Sequence, residues 1–291
     1  MPRILIAGCG YVGEATADLF HSAGRSVEGW VYSEQSATRL SAKPYSIRSI
    51  DISQRGELAK CSGAFDAVIH CASSHGGDAE AYRQIYLNGA RHLLDVFPNA
   101  KTLFTSSTSV YAQRDGSWVT EESETKPLRE TSRTLLEVEK LILKKGGIVA
   151  RLAGIYGPRR SALLSKFLNG TGNIDPNNER FVNQVHRDDI ASALFLLLDR
   201  KAQASAQIYN VADDQPLLQS ECYRWLAQRL NRPLPPIRKS EHSRKRGDTN
   251  KRVSNAKLRY SGWTPQYPTF IDAMEKSILP SFAEIIAGAS H

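Results

Sequence analysis

The chain has 291 residues, 41% of them hydrophobic, enough to bury a full core in one large domain or in a domain with a smaller annex. No apolar run approaches the ~18 residues of a membrane span, since ALFLLL at 193–198 is bounded by Asp188, Asp189, Asp199 and Arg200. The net charge of +8 is concentrated: between Arg232 and Arg259 ten Lys or Arg face only Glu241 and Asp248, so the remainder is neutral in sum and a protein coated in positive charge is excluded.

Met1-Pro2-Arg3 leads directly into ILIAG, without the apolar stretch and small-residue cleavage site of a signal peptide, so a cytoplasmic protein is expected. Cys9, Cys61, Cys71 and Cys222 contain no CxxC pair, and no histidine cluster has metal-ligand spacing. Reduced, buried thiols and no metal site follow.

Along the first half, short β-branched or apolar runs alternate with helical patterns, the signature of parallel strands joined by crossover helices. Strands are expected at 3–8 (RILIAG), 26–32, 45–51, 66–72, 101–107 and 146–154. Helices are expected at 11–23, at roughly 79–96 and over 127–140 (PLRETSRTLLEVEK). The pattern predicts an α/β fold, a Rossmann-like doubly wound parallel sheet over residues 1–153. Residues 154–291 read as a smaller, less regular substrate-side region, with 185–212 returning to the main sheet. Three prolines in LNRPLPPIRKS (230–240) forbid a continuous helix or central strand there and mark a surface connection.

GCGYVG (8–13) fits GxGxxG, with a strand ending before it and a helix beginning inside it. Gly8, Gly10 and Gly13 would permit a tight turn and close approach of a pyrophosphate, which Tyr11 and Val12 would meet at the helix N-terminus. The cofactor is NADP or NAD. An acid ending the second strand would favour NAD, but that strand ends in Tyr32-Ser33, with Glu28 near its start and Glu34 just beyond. Ser33 tolerates a 2′-phosphate, which gives a slight preference for NADP.

GCGYVG, DI (51–52), VIHCAS (68–73), the segment around Asn88, SSTSVY (106–111), RLAGIYGP (151–158), VHRDDIA (185–191), YNVADDQP (209–216) and NKRVSNAKL (250–258) occur in order along almost the whole chain. Together they resemble the extended short-chain dehydrogenase/reductases, the NAD-dependent epimerase/dehydratase superfamily. The resemblance implies that Asp51 and Ile52 flank the adenine, that Cys71, Ala72 and Ser73 pass the cofactor, and that Asn88 faces the same cleft. It implies that Ser107 bonds a substrate hydroxyl or carbonyl. By analogy with the family, a homodimer paired through helices flanking the sheet is the expected assembly.

In that family the helix after Ser107 carries Tyr-x-x-x-Lys, which exchanges a proton with the substrate oxygen. Here the count places Thr131 and Leu135 at the two positions, and no tyrosine in the chain is followed four residues later by lysine. Thr is too weak an acid and Leu carries no charge, so the sequence resembles an atypical member. A stripe of Leu128, Thr131, Leu135, Val138 and Ile142 predicts a helix facing inward. Gly154 departs as well, from a position often held by Asn. Among substitute proton donors, Tyr111, Tyr156 and His186 read as packing or bracing groups, and His75 in SSHGGD is the freest.

RKSEHSRKRGDTNKR (238–252) has phosphate-binding density but no Phe, Tyr or Trp. A closing loop for a small anionic substrate is favoured over nucleic acid. The expectation is therefore an NAD(P)-dependent oxidoreductase or epimerase-type enzyme acting on a small anionic, nucleotide-sugar-like substrate. A non-catalytic NAD(P)-binding sensor or scaffold, and nucleic-acid binding through the basic run, remain as alternatives.

Overall fold

A computed structural model describes residues 1–61, 63–74, 76–199, 206–238 and 249–283. The first strand, β1 (Arg3–Ala7), is buried along almost its whole length because neighbours cover it on both sides. Helix α1 (Tyr11–Ser22) carries the chain over the sheet to β2 (Ser26–Val31), after which come α2 (Glu34–Arg39) and β3 (Ser46–Ser49). The short α3 (Arg55–Ala59) leads to β4 (Ala67–His70). The next helix runs as α4 (Ala79–Tyr82), a π-type stretch Arg83–Asn88, and α5 (Gly89–Val96). It feeds β5 (Lys101–Ser107) and a two-residue strand, β6 (Trp118–Val119).

Helix α6 (Glu130–Lys144) precedes β7 (Ile148–Leu152), then β8 (Gly154–Tyr156) and α7 (Ala162–Leu168). Short strands β9 (Phe181–Val182) and β10 (Gln184–His186) lead into α8 (Arg187–Asp199). The chain continues through β11 (Gln207–Val211), β12 (Leu217–Leu218), α9 (Gln219–Leu230) and β13 (Arg252–Val253).

Seven strands form one parallel sheet in the order β11-β7-β5-β4-β1-β2-β3. Strand order reverses between β1 and β4, and in open α/β sheets the crevice at that reversal, beyond the carboxyl ends of the strands, is where ligands bind. The fold is thus the expected Rossmann-like doubly wound sheet. α1 packs on α8, with Phe20 and Phe195 ring centroids 4.9 Å apart. β10 pairs with β8 in a separate two-stranded sheet, whereas β11 joins β7 in the main one. A second apolar cluster, including Tyr156, Leu164, Phe167, Tyr223 and Phe270, lies under the C-terminal elements.

One expected stripe is corrected. Leu128 is 70% exposed, because Arg129 is still in extended backbone and the helix begins only at Glu130. Leu135, Val138 and Ile142 do face inward, but with them come Ser132, Thr134 and Glu139. Glu139 and Arg151 are 2% and 3% exposed and pair through Oε2 and Nη2 at 2.6 Å. Ser106 donates to Glu139 Oε1 at 2.6 Å, and Arg151 Nη1 donates to the Tyr111 hydroxyl at 2.8 Å, which donates to Asn210 at 2.8 Å. Hydrogen-bond partners of this kind keep a buried charge tolerable.

Candidate functional site

The glycine loop closes by backbone contact. Gly8 has φ +106°, and a Cβ there would fall 2.2 Å from the Ala72 nitrogen, so the exit of β1 touches the exit of β4. The Cys71 thiol donates to the Gly8 carbonyl at 3.2 Å. A Cβ on Gly13 would fall 2.2 Å from the same carbonyl, which is the close packing of helix on turn that only glycine permits. At Gly10 nothing lies within 4 Å of such a Cβ. No side chain caps α1, whose first turn therefore presents its amide groups beside that open face.

The other residues expected at the nucleotide have partners of their own. Val12 turns its side chain into the core, leaving its main chain for any contact. Tyr11 donates to the Pro158 carbonyl at 3.0 Å. Ser33 caps α2, accepting from Ser36 N at 3.3 Å. Asp51 accepts from Ser53 N at 2.9 Å, and Ile52 is buried with its carbonyl bonded to His92. Ser73 is exposed just after Ala72. Asn88 donates to Gln84 and accepts from Arg91 along its own helix. His75 lies outside the described residues.

Burial holds the thiols around the loop protonated: Cys9 is pushed up to about 12 and Cys71 is raised further. Burial lowers His70, beneath the loop at the end of β4, to about 4. His186 is also lowered to about 4 by burial. It accepts from Asp188 N and pairs with Ser277, so it braces the start of α8, as its place in VHRDD leads one to expect. Tyr111 and Tyr156 are wholly buried, consistent with packing.

Ser107 ends β5 and accepts from Ser109 N at 3.1 Å. It faces a cavity of about 210 Å3 shared with Thr131, so the structure brings these two expected residues together. Leu135 does not join them; at 4% exposure it belongs to the core. Among the other lining residues, Tyr82 from the end of α4, Arg114, Arg129 and Thr249 bring polar groups that sequence reasoning missed. Tyr82 and Thr249 arrive from distant segments, while Arg114 and Arg129 lie in the loop after β5 and at the cap of α6, where no motif links them to Ser107.

The described ends of the basic run are built into the fold. Lys251 is buried and donates to the Tyr111 carbonyl at 3.0 Å, and Arg252 donates to Gly116 and stacks on Trp118 and Phe181. Its centre, 239–248, lies outside the described residues, as do Arg244, Lys245 and Arg246. Among the described residues no group of His, Cys, Asp or Glu is arranged to hold a metal, and no helix is long and apolar enough to cross a membrane.

Residues 4–212 match the model of the NAD dependent epimerase/dehydratase family. Protein YeeZ of Escherichia coli K12 is 28% identical over 261 residues, covering 84% of this chain and 90% of that protein. A structure from Methylobacillus flagellatus, assigned provisionally as an NAD-dependent epimerase/dehydratase, is 25% identical with a TM-score of 0.75, covering 100% and 99% of the two chains. DesIV, a dTDP-glucose 4,6-dehydratase from Streptomyces venezuelae with NAD and TYD bound, shares the fold at 20% identity and a TM-score of 0.81, with 97% of each chain covered.

Proposed function

We propose, from the premise that the chain belongs to the NAD dependent epimerase/dehydratase family, that it binds a nicotinamide dinucleotide on the glycine loop and acts on a small anionic, nucleotide-sugar-like substrate beside Ser107. The observation that carries this reading is the contrast within the loop. Gly8 and Gly13 are closed by contacts a Cβ would violate, while Gly10 is open. That is the shape a pyrophosphate needs at a helix N-terminus. The dinucleotide fits the residues present: Gly10 and the first turn of α1 would hold the diphosphate, Ser33 and Asp51 would reach toward the adenosine half, and Ala72 and Ser73 would pass alongside.

NAD is the form we favour. Ser33 already spends its oxygen as a helix cap, nothing supports the sequence's slight preference for NADP, and DesIV is a structural neighbour with NAD bound. When bound, the nicotinamide would accept or return a hydride. Of the chain's own groups, Ser107 would hold the substrate oxygen, Thr131 would add a second hydroxyl, and Arg114 and Arg129 would favour a negative group in the same cavity.

A sensor or scaffold is the second reading, favoured by the burial of Leu135 where the family's lysine would stand. Calorimetric titration with NAD and NADP, followed by absorbance assays of reduced nicotinamide over nucleotide-sugars, separates them. Turnover that drops on Ser107→Ala supports the enzyme; tight binding without turnover supports the sensor. No affinity for either dinucleotide removes both.

A further inference from the structure

The glycine loop opens α1 with Tyr11, and two cations from much later in the chain flank its ring. The guanidinium carbon of Arg160 is 5.0 Å from the Tyr11 centroid and that of Arg187 is 5.1 Å. The ring cannot swing away, since its hydroxyl is tied to Pro158 and a Cβ on Gly157 would lie 2.6 Å from that oxygen. Nor can the turn carrying Arg160. Gly157 and Arg160 exchange main-chain bonds of 2.9 and 3.0 Å, and Arg159 N donates to Ser281 at 2.8 Å.

Only one charge of this cluster is balanced by the fold, that of Arg187, which pairs with Asp188. Arg160 is exposed and has no ion-pair partner among the described residues. Arg187 spends Nε on Asp188 at 2.8 Å, which leaves its two terminal nitrogens for another acceptor. The nearest acid of the loop, Glu14, is engaged by Arg39 and Lys43 instead. Two fixed guanidinium groups thus stand beside a helix terminus that is itself partly positive. Fork-shaped donors of this kind bind phosphate oxygens in pairs.

We infer that Arg160 and Arg187 take the outer side of a diphosphate whose inner side rests on the first turn of α1, with Tyr11 holding both arginines in place. This assignment rests on the dinucleotide reading above and adds residues that the glycine motif does not contain. A diphosphate brings two negative charges to two guanidinium groups, of which Arg187 keeps its terminal nitrogens free of Asp188 and Arg160 has no acid beside it among the described residues. It could belong to the dinucleotide or to a nucleotide-sugar, and we assign the dinucleotide because the shared pivot, Tyr11, is the residue that follows Gly10.

The test is NADH affinity, read by fluorescence titration of the full chain and of Arg160→Met, Arg187→Met and the double variant. Each single change is expected to weaken binding about tenfold and the pair roughly a hundredfold, with smaller losses at high salt. Adenosine, which lacks the diphosphate, is expected to bind all four proteins alike. NADH binding by the double variant within about twofold of the parent would overturn the assignment. So would a loss seen only for UDP added to NADH-loaded protein, which would move the arginines to the substrate. A parent chain that binds no NADH would instead bring down the dinucleotide reading itself. Should Arg187→Met melt early, the exposed Arg160→Met decides alone.

Discussion

The glycine loop and helix α6 are the two halves of one expected site, and they are built on opposite terms. In the loop the chain is closed by main-chain approaches, Gly8 on Ala72 and Gly13 on Gly8, and those distances leave no room for another residue type. In α6 the two positions expected to react are side chains, Thr131 and Leu135, on a helix whose inward face is packed. Leu135 has entered the core there, and the helix's buried charge, Glu139, serves Arg151 and Ser106 rather than a substrate. A surface that binds through backbone shape is preserved by the fold's own packing. A pair of reactive side chains is not, because nothing in the sheet depends on it.

The largest expected effect tests whether α6 is structural. Glu139→Ala leaves Arg151 buried without its partner and should cost about 3–5 kcal/mol in chemical denaturation. Glu137→Ala, at an exposed pair with Arg83, should cost less than about 1 kcal/mol. Equal, small losses would mean that the inward face of α6 is free to carry chemistry after all.

Acid should strain the nucleotide half next. His70 and His186 are held near 4 in the folded chain against 6.5 when exposed, so they stay neutral while the unfolded chain takes up protons. The histidine contribution to stability is therefore full above pH 6.5 and falls as the pH drops toward 4, by up to about 3 kcal/mol for His70 and in the same direction for His186. Asp189 acts in the opposite direction. Burial raises it from 3.8 to about 6, so its protonation favours the folded state as the pH falls through that range. Burial also raises Asp213 well above the usual carboxylate range, so two acids oppose the two bases and the histidine contribution is read from a variant rather than from the net slope. Urea midpoints measured across this interval should show a shallower slope for His70→Leu; an unchanged slope would contradict the role given to His70.

The finest distinction lies inside the loop. Gly8→Ala forces a φ of +106° and a clash with Ala72, a cost of about 2 kcal/mol or more visible in the melting temperature. Gly10→Ala meets no protein atom within 4 Å and should melt close to the parent, within about 1 kcal/mol, while losing about tenfold in NAD affinity. If both variants lost only stability, or both only affinity, the division of labour among the glycines would be wrong.

Much of this molecule was legible before folding was considered. The alternation of apolar runs located the principal strands, and GCGYVG at a strand-to-helix junction located the loop, because both signals are local and depend on a few neighbouring residues. Leu128 shows where a local rule failed. Its spacing fits the inward stripe, yet the backbone at Arg129 is extended and the side chain points outward. Glu139 shows the converse: a carboxylate in a helix reads as solvated unless its partners on β5 and β7 are known.

By itself the sequence determined the order of the principal strands, the lack of any tyrosine followed four residues later by lysine, and the place of the glycine turn, since each is a matter of residue type and spacing along one segment. Only the tertiary structure decided that Tyr82, Arg114, Arg129 and Thr249 share a cavity with Ser107 and that Arg160 and Arg187 flank Tyr11. Those meetings join residues far apart in the chain. They depend on how the sheet, its helices and the returning α8 pack against one another, which spacing along a single segment does not encode.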